Sequence, residues 1–173
     1  MSWTRYFSVP AVVVFLGLLT TGCFEENVMP LEIGAKAPPS MLTLLNGETR
    51  DITDHTGRAQ VVTFMASWCP CSNESIPLIR KAFDRHNSGT GNRISFLMIG
   101  IQSPRNKFDD IARKWALPFP VAYDDGDKIA RAYGIKAPPT TVFIDANGHV
   151  TRVFYGNIKD VEEDFLEWTN ELL

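Results

Sequence analysis

The chain has 173 residues, 45% of them apolar and 21% charged, enough for one ordinary globular domain with a sizeable core plus an appendage. Its formal net charge of -3 comes from interspersed acids and bases, with no block of Lys or Arg to follow a phosphate backbone. Nucleic acid is therefore not an expected partner.

Residues 1–22 have a composition of their own: Arg5 is the only charge, an apolar run extends from Val9 to Leu19, and Thr20-Thr21-Gly22 lead into Cys23. The run is too short to cross a bilayer comfortably and ends in small residues, the pattern of a cleavable export signal. Small residues before a cysteine fit lipoprotein processing, with Cys23 as the lipid-carrying residue, although Thr20 stands where such sites usually carry Leu. The expected organisation is a lipoprotein-type signal peptide over 1–22, a tether over 23–30 and a single domain over 31–173. The expected location is the cell envelope, facing the periplasm, with a lipid anchor in a membrane. If Cys23 is acylated, only Cys69 and Cys71 remain for redox chemistry.

Leu31 to Ser40 reads as an irregular entry in which prolines block regular pairing. Met41 to Leu45 and Glu48 to Ile52 flank Asn46-Gly47, a dipeptide suited to the positive backbone angles of a tight hairpin turn. Gln60 to Ala66 is β-branched and apolar throughout, as in a strand buried on both faces. Past the cysteines, Ile76, Ile79 and Phe83, with Leu78 and Ala82, recur at helical spacing until about Asn87 to Gly91. Arg93 to Ile101 is a second buried strand, and Asn106 to Trp115 a second helix. A short strand over Pro120 to Tyr123 and a helix over Asp127 to Tyr133 follow. Thr140 to Asp145 and His149 to Tyr155 bracket Ala146-Asn147-Gly148 as another hairpin, before a terminal helix from Lys159 to Leu172. Alternating strands and helices require crossovers, so the first strands are expected parallel and the last antiparallel, an α/β fold with a mixed sheet flanked by helices.

Trp68-Cys69-Pro70-Cys71 lies where a buried strand hands over to a helix. Helix N-termini present unpaired amide hydrogens and a partial positive charge, both of which favour a thiolate. Pro70 suits the first helical position, leaving Cys69 at the cap, exposed and activated. Two inert buried thiols, or a pair of metal-binding thiolates, are the other readings of the same residues. His55, His86 and His149 are scattered without ligand spacing and read as solvated surface residues, so no metal or other cofactor is expected. Ala137-Pro138-Pro139-Thr140 precedes an apolar strand, a place where a proline can hold a cis turn.

Together these residues resemble the membrane-tethered thiol–disulfide oxidoreductases of the redoxin, TlpA-like group, which have a thioredoxin-like fold. The resemblance covers about 31–173. It is carried by Gly34 with Ala37-Pro38, the Asn46-Gly47 hairpin, Val61 to Cys69, Pro77, Leu117-Pro118-Phe119-Pro120, Tyr133-Gly134-Ile135, Pro139-Thr140-Thr141 and Phe143-Ile144-Asp145. It implies Cys69 as nucleophile and Pro139 as the cis-proline facing it. It also implies Trp68, Pro70, Ala137, Pro138 and Thr140 as a surface for an extended substrate segment. The implied partners are protein or peptide thiols and disulfides and a membrane-side redox partner, with the chain a monomer.

The family's second cysteine stands three positions after the first, where this chain has Ser72. Registration on Pro77 makes Ser72 the substitute for the resolving cysteine; registration on Glu74 makes Cys71 the resolver. A Cys69–Cys71 disulfide would close a small, strained and hence more oxidising ring, whereas Ser72 at the resolving position would leave monothiol exchange. Thr63 replaces the acid that thioredoxins carry six residues before the first cysteine. Glu74 is left either as a general base, alongside water, or as a first-turn acid that stabilises the helix. The alternatives to exchange are a thiol peroxidase, weakened by Ala66 where such enzymes carry Thr or Ser, and a copper or zinc carrier or binding module using Cys69 and Cys71.

Overall fold

A computed structural model describes residues 28–173 other than Thr56 and Thr90; the expected signal peptide, Cys23 and most of the tether lie outside the described residues. The central strand β3 (Ala59–Met65) is buried at every position, as expected for a strand covered on both faces. Helix α1 (Pro70–Asn87) carries it by a crossover to β4 (Ile94–Gly100), which pairs with it in parallel from Ala59↔Ile94 to Met65↔Gly100. Helix α2 (Arg105–Trp115) then leads to β5 (Val121–Tyr123), parallel to β4. Helix α3 (Lys128–Ala132) precedes β6 (Thr140–Ile144), which returns antiparallel to β3, and β7 (Val150–Tyr155) closes that side.

The N-terminal hairpin, β1 (Met41–Leu44) and β2 (Thr49–Asp51), adds antiparallel to β5, so among the described residues one sheet runs β2-β1-β5-β4-β3-β6-β7. The mixed sheet and flanking helices are those of the expected thioredoxin-like fold. Two cores result from the alternation of side chains along the strands. Val61 and Met65 pack with α1, α2 and the terminal helix α4 (Glu162–Glu171). Val62 and Phe64 pack with α3, Ala37 of the entry segment and Leu42 and Leu44 of the hairpin.

Three local expectations are corrected. The first hairpin does not use the expected two-residue turn, because Leu44 N–H donates to the Glu48 carbonyl and leaves a three-residue loop; the second has the expected loop of Ala146, Asn147 and Gly148, closed by Asp145 N–H donating to the His149 carbonyl. Only Gly47 and Gly148 take positive φ there, 88° and 81°, because Asn46 and Asn147 remain in ordinary backbone regions. The terminal helix begins as a tighter 3₁₀ turn over Ile158–Val161. Two of the three histidines are not on the surface. His55 is buried, and His86 places Nε2 2.9 Å from Thr169 Oγ1, joining the end of α1 to α4. Burial, with the charges of Arg85 and Arg93, holds His86 below the usual histidine pKa.

Gly100 ends β4 against α2. A Cβ there would fall 2.4 Å from the ring of Phe108, itself fully buried in α2. Gly100→Ala is expected to lower stability by about 1–3 kcal/mol through overpacking. A urea midpoint unchanged from wild type would show that α2 has room to move.

Candidate functional site

The antiparallel register Phe64↔Thr140 sets the C-terminal end of β3 beside the start of β6. Beyond β3 the chain turns through Ser67 and Trp68 into α1, with Cys69 at its N-cap in extended backbone (φ -87, ψ 117) and Pro70 in the first turn. Immediately before β6, the Pro138–Pro139 peptide is cis. Two segments distant in sequence therefore face each other: Cys69 Sγ lies 4.0 Å from the Pro138 carbonyl oxygen. Pro139 is buried, and its carbonyl accepts from Gly156 N–H at 2.9 Å. Thr140 Oγ1 donates to the carbonyl of exposed Ala137 at 2.7 Å, fixing the loop from within.

Cys69 is only 7% exposed, which corrects the expectation of an open thiol at the cap. The cis-proline loop sits against it, while Trp68 projects outward at 59% exposure. That indole is fastened: Nε1 donates to the Gln102 carbonyl at 2.6 Å. Gln102, in left-handed backbone (φ 48), also donates from Nε2 to the Lys136 carbonyl at 2.9 Å and from its amide to Asp127 Oδ1 at 2.8 Å. One residue thus ties the tryptophan, the start of α3 and the cis-proline loop together. No sequence signal distinguishes Gln102, because every one of these partners is at least 25 residues away.

Ser72 and Cys71 have different environments. Ser72 is fully buried, with Oγ accepting from Ala66 N–H at 3.2 Å, so its hydroxyl closes the strand–helix connection. Cys71 is half-buried and, like Cys69, a free thiol. Partial desolvation raises its pKa above the ordinary thiol value; the charge and hydrogen bond of Cys69 add to this, and then the charge of Glu74.

Glu74 lies beyond the first turn of α1, which holds no acid, and this corrects its reading as a first-turn helix stabiliser. Its carboxylate accepts from Asn157 Nδ2 at 2.9 Å and lies 4.0 Å from Lys159 Nζ, an exposed and weak ion pair. Asn157 also engages Ser75 Oγ at 3.0 Å, so it connects the end of β7 to α1. Asn157 escaped the sequence reading. Its position before the last helix, where its side chain accepts from Lys159 N–H as a cap, was the available signal. Among the described residues no group of three or more His, Cys, Asp or Glu is placed to hold a metal ion.

The raised Cys71 thiol gives a pH test. Alkylation by iodoacetamide, followed at each cysteine by peptide mass spectrometry, is expected to need higher pH at Cys71 than at an ordinary thiol. Cys69→Ser removes both Cys69 contributions and should move the half-maximal pH of Cys71 downward. An unmoved profile would mean the two sulfurs do not influence each other.

Comparison with known proteins agrees with this geometry. Residues 32–167 match the family model described as Redoxin. The thiol-disulfide oxidoreductase ResA of Geobacillus thermodenitrificans is 28% identical over 144 residues, 83% of this chain and 80% of its own. The ResA of Halalkalibacterium halodurans is 23% identical over 95% of this chain and 93% of its own. Among solved structures, a Chlorobium tepidum protein provisionally assigned as thiol:disulfide interchange protein DsbE superposes with a TM-score of 0.72 at 26% identity, covering 80% of this chain and 95% of its own. StoA from Bacillus subtilis shares the fold, with a TM-score of 0.62 at 20% identity over 77% of this chain and 97% of its own. By the extent of the family match and the kind of relatives it has, this chain belongs to the Redoxin family and is related to its thiol–disulfide oxidoreductases.

Proposed function

We propose that the chain is a thiol–disulfide oxidoreductase acting on exported protein or peptide thiols, with Cys69 as the attacking sulfur. The observation that carries this reading is the meeting of three features: Cys69 at the N-cap of α1, the Pro138 carbonyl 4.0 Å from its sulfur, and a second free thiol two residues on at Cys71. In the direction of substrate reduction, the Cys69 thiolate attacks one sulfur of a substrate disulfide. A mixed disulfide forms as the substrate bond breaks, and the departing thiolate takes up a proton.

Release requires a second thiol. Ser72 is engaged with the Ala66 amide inside the fold, so Cys71 is the residue proposed to attack the mixed disulfide. That attack transfers two electrons to the substrate and leaves Cys69 and Cys71 joined; substrate oxidation is the same sequence reversed. The small ring favours the oxidising direction. Desolvation first, and then the charge of Cys69, raise the pKa of Cys71; the Cys69 charge is removed when its sulfur enters the mixed disulfide, which eases formation of the Cys71 thiolate at that step. Trp68, Pro70 and the loop from Ala137 to Thr140 are proposed as the surface on which the substrate lies. Cys23 is proposed as the lipid anchor that keeps this domain at the membrane, facing the periplasm. The peroxidase and metal-carrier alternatives gain no support from relatives that are named as oxidoreductases.

Insulin reduction with dithiothreitol as electron donor tests the reading. Cys69→Ser should abolish turnover. Cys71→Ser should retain the first attack and accumulate a mixed disulfide visible by mass. Full activity in Cys69→Ser would sink the proposal.

A further inference from the structure

Pro138 and Pro139 carry no amide hydrogen, so the loop that faces Cys69 is held mainly through its carbonyls. The Ala137 carbonyl accepts from Thr140 Oγ1 at 2.7 Å and the Pro139 carbonyl from Gly156 N–H at 2.9 Å. The Pro138 carbonyl is the one turned to Cys69 Sγ, 4.0 Å away. At the head of the loop, the Lys136 carbonyl accepts from Gln102 Nε2 at 2.9 Å. The first two ties come from β6 and from the end of β7; Gln102 supplies the tie from the opposite flank, where its own carbonyl accepts from Nε1 of Trp68, the neighbour of Cys69.

Gln102 follows β4 in left-handed backbone (φ 48), which only Ala116 and Asp127 share with it among the described residues other than glycine. An Asp is eased into that region by local hydrogen bonds of its short side chain, whereas a Gln has no such help and glycine would fit best. Two of the bonds at Gln102 need no side chain: its amide donates to Asp127 Oδ1 at 2.8 Å, and its carbonyl receives the indole of Trp68 at 2.6 Å. The bond to Lys136 alone requires the glutamine. A position that favours glycine is thus filled by a residue whose side-chain amide reaches the loop lying over the thiol.

We propose that Gln102 is a positioning residue for exchange at Cys69: its side chain pins the head of the cis-proline loop while its carbonyl holds Trp68, so the two flanks of the sulfur keep one spacing. This rests on the exchange reading and deepens it. Gln102 makes and breaks no sulfur–sulfur bond; it acts through the loop, whose Pro138 lies against Cys69. With the tie cut, the loop can move off the sulfur. A small thiol reagent then reaches Cys69 more readily, while a protein substrate, which must meet loop and indole together, is aligned less well.

The test uses the full chain in detergent, reduced, with two variants. Gln102→Gly keeps the left-handed backbone and both main-chain bonds and loses only the tie; Gln102→Glu keeps the length and loses the donor. Iodoacetamide alkylation is followed at each cysteine by peptide mass spectrometry on the alkaline plateau, where ionisation no longer limits the rate. Each variant is expected to alkylate about two- to tenfold faster at Cys69, the range for loss of one hydrogen bond, with Cys71 within about twofold of wild type. Insulin reduction should fall by a similar factor, about two- to tenfold, while exchange with hydroxyethyl disulfide does not fall. An unchanged Cys69 rate in both variants, or insulin reduction at the wild-type rate, would overturn the inference. A parallel rise at both cysteines with a lowered urea midpoint would also overturn it, as the mark of a general loss of stability. Failure of the wild type to reduce insulin would instead overturn the exchange reading, and the alkylation rates would still decide whether Gln102 holds the loop.

Discussion

The pairing of β3 with β6 is the constraint on which the rest of the site depends. The strands are antiparallel and in register at Phe64↔Thr140, so the C-terminal end of one lies beside the N-terminal end of the other. β3 continues into the helix that has Cys69 at its cap, and β6 is entered through Pro138 and Pro139. A register shift of one residue would turn the alternate side chains of β6 to the opposite core, which burial of the whole of β6 on both faces opposes. The proximity of thiol and proline loop is thus enforced by the packing of a seven-stranded sheet and needs no direct bond between them.

Around this junction the molecule supplies local fasteners. The Ser72 hydroxyl stitches α1 to the end of β3 through Ala66 N–H, and Gln102 ties Trp68 to the proline loop. Asn157 ties α1 to the end of β7. The Ser72 bond satisfies a buried amide, where an unpaired group is costly, whereas the Gln102 and Asn157 bonds lie nearer the surface and act as ties between segments. Their common effect is to hold Cys69 rigidly against a loop while leaving the indole of Trp68 and the ring of Tyr155 at the surface. A covered thiol next to an exposed indole suits the proposed exchange with a protein substrate, which brings its own surface to the encounter.

Much of this arrangement was legible in the sequence. The unbroken apolar runs of β3 and β4 announced strands buried on both faces, and the helical spacing from Ile76 to Phe83 announced α1, because period and burial are local properties. Pro70 marked the helix start for the same reason. What was not legible depended on contacts between distant segments. His86 carries no sign in its own neighbourhood that Thr169 will meet it, and the role of Gln102 exists only once α3 and the proline loop are in place. The burial of Cys69 is of this kind too: the cap position suggested exposure, but Pro138, far along the chain, covers the sulfur. Ser72 was ambiguous between two alignments because spacing alone could not reveal that its hydroxyl turns inward to Ala66.

The central claim is that Cys69 and Cys71 form a dithiol centre despite having one residue between them. The most direct measurement is the intact mass of the full chain after oxidation and after reduction, with alkylation of free thiols and peptide mapping. The account predicts the loss of two hydrogens on oxidation, with Cys69 joined to Cys71. Two alkylatable thiols after oxidation, or a glutathione adduct confined to Cys69, would contradict it and leave a monothiol site with Ser72 in the resolving position.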